Sequence, residues 1–227
     1  MPSQSPPVPA PAASPSASLL PSTGDMDKSV LRLVSGLSSK PDYASWLKNS
    51  DLTRRFVAVV DTIADGRVPH SPLSFLTPSQ PFAVRQHRHK LSIDPASYDR
   101  YNVFADTLDS LDTKGAANVY RQLHPLLESV YKEIGKPGTT LDGRFALAIQ
   151  TIESAPVLTG PVRVEREAGF YKLADAKLES LSPAVKQLIR MGPQNTKAIQ
   201  AKLRQISEDF KLPIPMASSA PKTAHAG

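Results

Sequence analysis

Cysteine is absent, which excludes a disulfide framework, thiolate nucleophiles and thiolate metal ligands. Long apolar runs are absent too, and none approaches the eighteen or so residues that a membrane-spanning helix needs. The N-terminus shows no charged segment followed by an apolar one, so no export signal is read there. No G-x-S-x-G, no phosphate-binding glycine loop and no H-E-x-x-H occurs. Aromatic residues amount to only 6%. The excess of cations is small, 27 Lys and Arg against 21 Asp and Glu, a formal +6. That balance favours contact with anionic surfaces but falls short of a dedicated nucleic-acid binder.

Proline, by contrast, is plentiful, 22 in 227 residues, and unevenly spread. Residues 1–22, MPSQSPPVPAPAASPSASLLPS, hold seven Pro and neither a charged side chain nor an aromatic ring. Such a segment buries too little apolar surface to offset the entropy of ordering. A disordered, extended and partly polyproline-like spacer is therefore expected over 1–24. Residues 212–227 read as a second, shorter disordered tail. One domain is expected between them, over 25–211.

Within that span the apolar spacing predicts six to eight helices and two short β-hairpins, a predominantly helical α+β domain. A first helix is expected over 27–37 behind Asp25. The next begins at Ser50 or Asp51, buries Leu52, Phe56, Val59, Val60 and Ile63, and closes at Gly66. Arg54, Asp61 and Asp65 then fall on its solvated face. Alternation around RQHRHK predicts a hairpin over 82–93, and VRVEREAGFYKL a second with its turn at 166–169. Asp94-Pro95 opens a helix along Tyr98, Tyr101, Ala105, Leu108 and Leu111. A long helix is expected from Asp112 to Ile134, kinked or broken near Pro125, and another over 141–154.

The stretch LSPAVKQLIRMGPQN (181–195) starts one helix at Ser182-Pro183, stops it at Gly192 and restarts at Pro193. In the last helix Ile199, Leu203, Ile206 and Phe210 form a buried stripe, with Lys197, Arg204 and Lys211 on the side away from it. Gln194, Asn195 and Lys197 after a tight turn resemble the base-reading element of a helix-turn-helix over 182–205. Amide side chains serve equally well in packed corners, and a packed corner is the expectation here. A basic interaction patch is expected from Arg54, Arg55, Lys186, Arg190, Gln194, Asn195, Lys197 and Arg204.

Catalytic chemistry finds little footing. His87 and His89 could place two imidazoles on one strand face, but a metal wants a third ligand and three neighbouring cations oppose it. An exposed basic hairpin, able to touch anionic glycan, lipid head groups or nucleic acid, is the expectation. Asp99, Asp106, Asp109 and Asp112, or Glu165 with Glu167, would serve a glycosidase only if two of them faced one cleft. His124 reads as a half-buried packing residue, and Tyr98 and Tyr101 as core or rim aromatics. No catalytic, metal-binding or cofactor-binding set is assigned.

Four segments, WLKNSDLTRRFVAVVDTIADG, IDPASYDRYN, APVLTGPV and LESLSPAVKQLIRMGPQNTKAIQAKLR, together resemble the bacterial domain of unknown function 3014 family. The resemblance covers about residues 25–207, and its last motif is the most specific. Such proteins are typically membrane-tethered, with one transmembrane helix, a Pro/Ala-rich spacer and then this domain. The spacer is seen here and the transmembrane helix is not, which implies either a missing upstream segment or a soluble variant. The resemblance implies the periplasmic side of the envelope, with the cytoplasm as the alternative, and brings no catalytic residues. The resulting expectation is a non-enzymatic, envelope-associated binding module with a protein or an anionic envelope polymer as partner. Membrane contact is expected only through a tether. Two alternatives carry their own signatures. An enzyme acting on a cell-wall or lipid substrate would show convergent carboxylates. A nucleic-acid binder, ranked lower, would point Gln194 and Asn195 outward.

Overall fold

The computed structural model describes residues 23–213, with side chains from Asp27 onward. The spacer and tail expected at 1–24 and 212–227 lie outside the described residues, apart from 23–24 and 212–213. Helix α1 (Thr23–Val34) starts earlier than expected and tightens into a 3-10 turn at Ser35–Leu37, where Gly36 is a poor helix former. The apolar spacing does not predict α2 (Pro41–Trp46), which is too short to carry a stripe; Pro41 in its first turn is its one clear signal. Helix α3 (Leu52–Ala64) follows a left-handed Asp51 and buries Val57, Val60 and Ala64. Its inward face is thus rotated from the expected one, because α5 and α6 both pack against it and widen the contact.

Both hairpins form. β1 (Val84–His87) joins β2 (Lys90–Ile93) through Arg88 and His89, and β3 (Arg163–Glu167) joins β4 (Phe170–Leu173) through Ala168 and Gly169. All four turn residues have positive φ, the backbone that two-residue hairpin turns require. The hairpins then merge into one antiparallel sheet, order β1-β2-β3-β4, by pairing Leu91 with Val164 and Ser92 with Arg163. Directly paired residues share a face. Leu91, Ile93, Val164 and Leu173 therefore face inward, onto Ile189, Tyr98, Leu178 and Leu181. Arg85, His87, Lys90 and Arg163 point the other way and are exposed.

Two 3-10 turns, Pro95–Ser97 and Asp99–Tyr101, lead into α4 (Asn102–Asp109). Buried Ser97 clamps the base of the first hairpin: its hydroxyl accepts from the Ala83 N–H (2.7 Å) and donates to the Ala83 carbonyl (2.9 Å). Helix α5 (Thr113–Ile134) includes Pro125 without a break, so of the kink or break expected there the break does not occur. The carbonyl that Pro125 leaves without a donor belongs to Arg121, an exposed residue, so water is available to it. Then come α6 (Leu141–Glu153), the short α7 (Ala176–Glu179), α8 (Pro183–Met191) and α9 (Pro193–Phe210). One core lies among α3, α5 and α6, a second among α4, α6, α8 and α9, and a third beneath the sheet. Ile63 and Leu203 touch the first two, and Leu181 the second and third.

Candidate interaction surface

Gly192 ends α8 at φ 87° and ψ 164°, a region that only glycine occupies comfortably. A Cβ there would also collide with the Tyr98 ring. The corner thereby sets the start of α9, and it turns the amide residues inward. Asn195 is buried, its amide nitrogen within reach of the Met191 carbonyl (2.9 Å), the Tyr98 carbonyl (3.0 Å) and Asn102 Oδ1 (3.1 Å). Thr196 donates to the Leu188 and Gly192 carbonyls. Gln200 Nε2 meets the carbonyls of Ile152 and Ala155, groups that the end of α6 leaves without intrahelical donors. Lys202 Nζ bonds the Leu111 carbonyl at 3.1 Å. The polar face of α9 is a set of caps for its neighbours, so the outward Asn195 that base reading requires is not there. Of the two amide residues that open α9, Gln194 alone is exposed. The signal was available: Asn195, Thr196 and Gln200 lie on the same helical face as Ile199.

The remaining patch residues are scattered. Arg54 is exposed and pairs with Asp51 and Glu133, while Arg55 bonds the Ser50 and Pro72 carbonyls. They stand at the N-terminal end of α3, whereas α8 begins beside Gly66 past its far end, about 17 Å along the helix. On α8, Lys186 Nζ holds Glu179 at 2.6 Å and Arg190 bonds the Tyr171 carbonyl. Lys197 and Arg204 share the exposed outer face of α9, with Arg204 3.8 Å from Glu153.

The acidic side chains are largely engaged with cations or backbone. Arg144, 7% exposed, sends Nε to Asp61 Oδ1 (2.7 Å) and Nη2 to Asp65 Oδ1 (2.6 Å) and to the Asp61 carbonyl (2.7 Å). Lys136 also reaches Asp65, at 2.5 Å. Hydrogen bonds from Lys136, then from Arg144, hold the Asp65 carboxyl far below the usual range. The solvated charged face expected for α3 is therefore the socket of a buried arginine. Two Asp a helical turn apart, and one Arg among the apolar residues of LDGRFALAI, were its marks in the sequence.

His124 is half-buried as expected, with Nε2 3.2 Å from both Asp142 oxygens and its ring edge-on to Tyr120. The Tyr120 hydroxyl donates to Asp142 at 2.6 Å; burial and that carboxylate push its pKa upward. A hollow of about 420 Å³ beside β4 holds Glu165 and Glu179 together. Burial alone would raise Glu179, but Lys186 and the Leu173 N–H keep it below the ordinary value, the reverse of a general acid. Glu165 and Glu167 both flank Lys172. Among the described residues no group of three His, Cys, Asp or Glu could hold a metal. His89 lies in the turn, not on the strand with His87, because Arg88 and His89 take left-handed backbone.

Other exposed basic residues lie on the first hairpin and its neighbour strand. β2 and β3 are antiparallel, with Leu91 opposite Val164, so both hairpin turns lie at the same end of the sheet. Arg88, Lys90 and Arg166 are exposed toward that end beside exposed His87, His89, Glu165 and Glu167, whereas Arg163, opposite Ser92, is exposed toward the other end of β3; none of the four cations has an ion-pair partner among the described residues. Arg85, on the outer face with His87, Lys90 and Arg163, is held by Asp94 at 2.9 Å, while Arg166 lies on the face of Val164. The hairpin was legible in the sequence. Its union with Arg163 was not, because the β2–β3 pairing joins residues some seventy positions apart.

Fold and surface together describe a predominantly helical α+β domain with exposed cations along its sheet and an interior held by capped corners. The chain belongs to the family described as Protein of unknown function (DUF3014), which it matches over residues 52–207. The match begins at α3, leaving α1 and α2 outside it. No curated protein and no solved structure matches the chain. Among the described residues no helix is long and apolar enough to cross a membrane.

Proposed function

We propose that this domain is a non-enzymatic binding module of the bacterial envelope that grips an anionic polymer with the exposed cations of its sheet. The observation that carries the reading is the set Arg88, Lys90 and Arg163 on the turn and outer face of the sheet, exposed and without carboxylate partners among the described residues. A bound polyanion would supply the missing counter-charges. The engaged state of Glu179, Asp65 and Asp142 supports a binding role over catalysis. Envelope placement rests on the family resemblance and its tethered architecture. Of the residues expected from sequence, Lys197 and Arg204 on α9, and Arg54 on α3, stay available as secondary contacts.

The test compares binding to peptidoglycan, lipopolysaccharide and duplex DNA at about 150 mM salt, where the screening length is only about 8 Å. One polymer should still bind, and neutralising Arg88, Lys90 and Arg163 together should abolish that binding. Neutralising Lys186 and Arg190, already engaged within the fold, should leave it in place. Equal, salt-erased binding to all three polymers would overturn the reading.

A further inference from the structure

Scarce as aromatic residues are, three of them meet where α2 packs on α4. The Trp46 ring at the end of α2 stacks on Phe104 of α4 with centroids 5.8 Å apart. It meets Phe75 of the 3-10 turn Ser74–Leu76 edge-on at 6.4 Å. Phe75 is 38% exposed and Val103, beside Phe104 in the chain, is 55% exposed. Large side chains left this open are few among the described residues, and two of them border Trp46 or its stacking partner.

The start of α1 lies near the chain that carries these rings. The Asp51 N–H donates to Asp27 Oδ2, which pins the first turns of α1 beside the start of α3. Arg55 links the Ser50 carbonyl to the Pro72 carbonyl, three residues before Phe75. Trp46 lies four residues before Ser50. Residues 1–22 therefore join the domain at α1, whose first turns lie beside the start of α3, a few residues along the chain from Trp46. They carry seven Pro and no charged side chain. Aromatic-lined surfaces bind proline-rich chain because each ring stacks on a pyrrolidine, and an extended polyproline helix has little entropy left to lose. Seven residues at about 3.1 Å each span about 22 Å, enough to cross the three rings.

We propose that the Trp46–Phe75–Phe104 surface is an intramolecular dock for the proline-rich residues 1–22. The dock is independent of the sheet cations and of the polymer-binding reading. Tethering raises the effective concentration of the segment to the millimolar range, so individually weak ring–proline contacts suffice. A soluble proline-rich peptide would compete for the same rings.

Trp46 is the only tryptophan in the chain, so its fluorescence reports directly on the dock. The full chain is compared with a variant lacking residues 2–22, at low protein concentration, by acrylamide quenching and emission maximum. Deletion should shift the emission to the red and raise the quenching constant by about twofold or more, as expected when a segment held at millimolar effective concentration is lost. A synthetic peptide of residues 1–22, added in millimolar excess, should reverse both changes. A full-length chain with its seven N-terminal prolines replaced by serine should behave like the deletion, and far-ultraviolet circular dichroism should show the domain intact in each case. Identical quenching with and without residues 2–22 would overturn the proposal. So would protection that survives the deletion and grows with protein concentration, because a second copy would then cover the rings.

Discussion

Arg144 shows how one side chain organises two helices. Its guanidinium bonds two carboxylates and a carbonyl, an arrangement that a lysine could not reproduce with one ammonium. Arg144→Met removes those donors and leaves Asp61 and Asp65 without their main buried partner. The expected loss is about 3–5 kcal/mol, read from urea unfolding, and a change below about 1 kcal/mol would contradict the assigned role. The same site makes stability depend on acid. In the unfolded chain Asp65 takes up its proton near pH 4, whereas in the fold Lys136 and Arg144 hold its pKa much lower. Its contribution is therefore complete above about pH 4–5 and is lost as the pH falls toward the folded value. Asp65→Asn should lower stability at neutral pH and flatten the decline in melting temperature between about pH 5 and pH 3.

At the scale of elements, the α8–α9 corner separates what a motif looks like from what it does. Ser-Pro and Gly-Pro mark the helix starts correctly, since those signals act through the local backbone. Gly192 is required twice, by its positive φ and by the Tyr98 ring. Gly192→Ala should cost at least about 2 kcal/mol by thermal or urea unfolding, whereas Gln194→Ala on the open face should stay within about 0.5 kcal/mol. Comparable losses from both would mean that the outer side of the corner is packed as well. The roles of Asn195, Thr196 and Gln200 depend on which helix ends happen to abut α9, and no spacing within α9 states that. The rotation of the α3 face has the same origin: Val57 is the most deeply buried residue of its helix because two neighbours converge on it.

At the scale of the whole molecule, Ile63, Leu203 and Leu181 make the three cores contiguous. Contiguous cores should melt together. Circular dichroism at a helical wavelength and the fluorescence of Trp46 should therefore give coincident urea transitions. An earlier fluorescence change would show that the region around α2 opens independently of the helical core. By itself the sequence determined the predominantly helical character, most helix starts, both hairpins, and the absence of thiolate and recognisable catalytic motifs. Those features follow from apolar period, backbone restriction and composition, which act over a few neighbouring residues. Only the tertiary structure decided that Asp61 and Asp65 enclose Arg144, that Asn195 faces inward and that the hairpins share one sheet. It also decided that Arg163 shares a sheet face with Lys90, and that Trp46, Phe75 and Phe104 meet. Each of those outcomes is a contact between residues distant in the chain, chosen by the packing of whole elements and by the need of buried polar groups for partners.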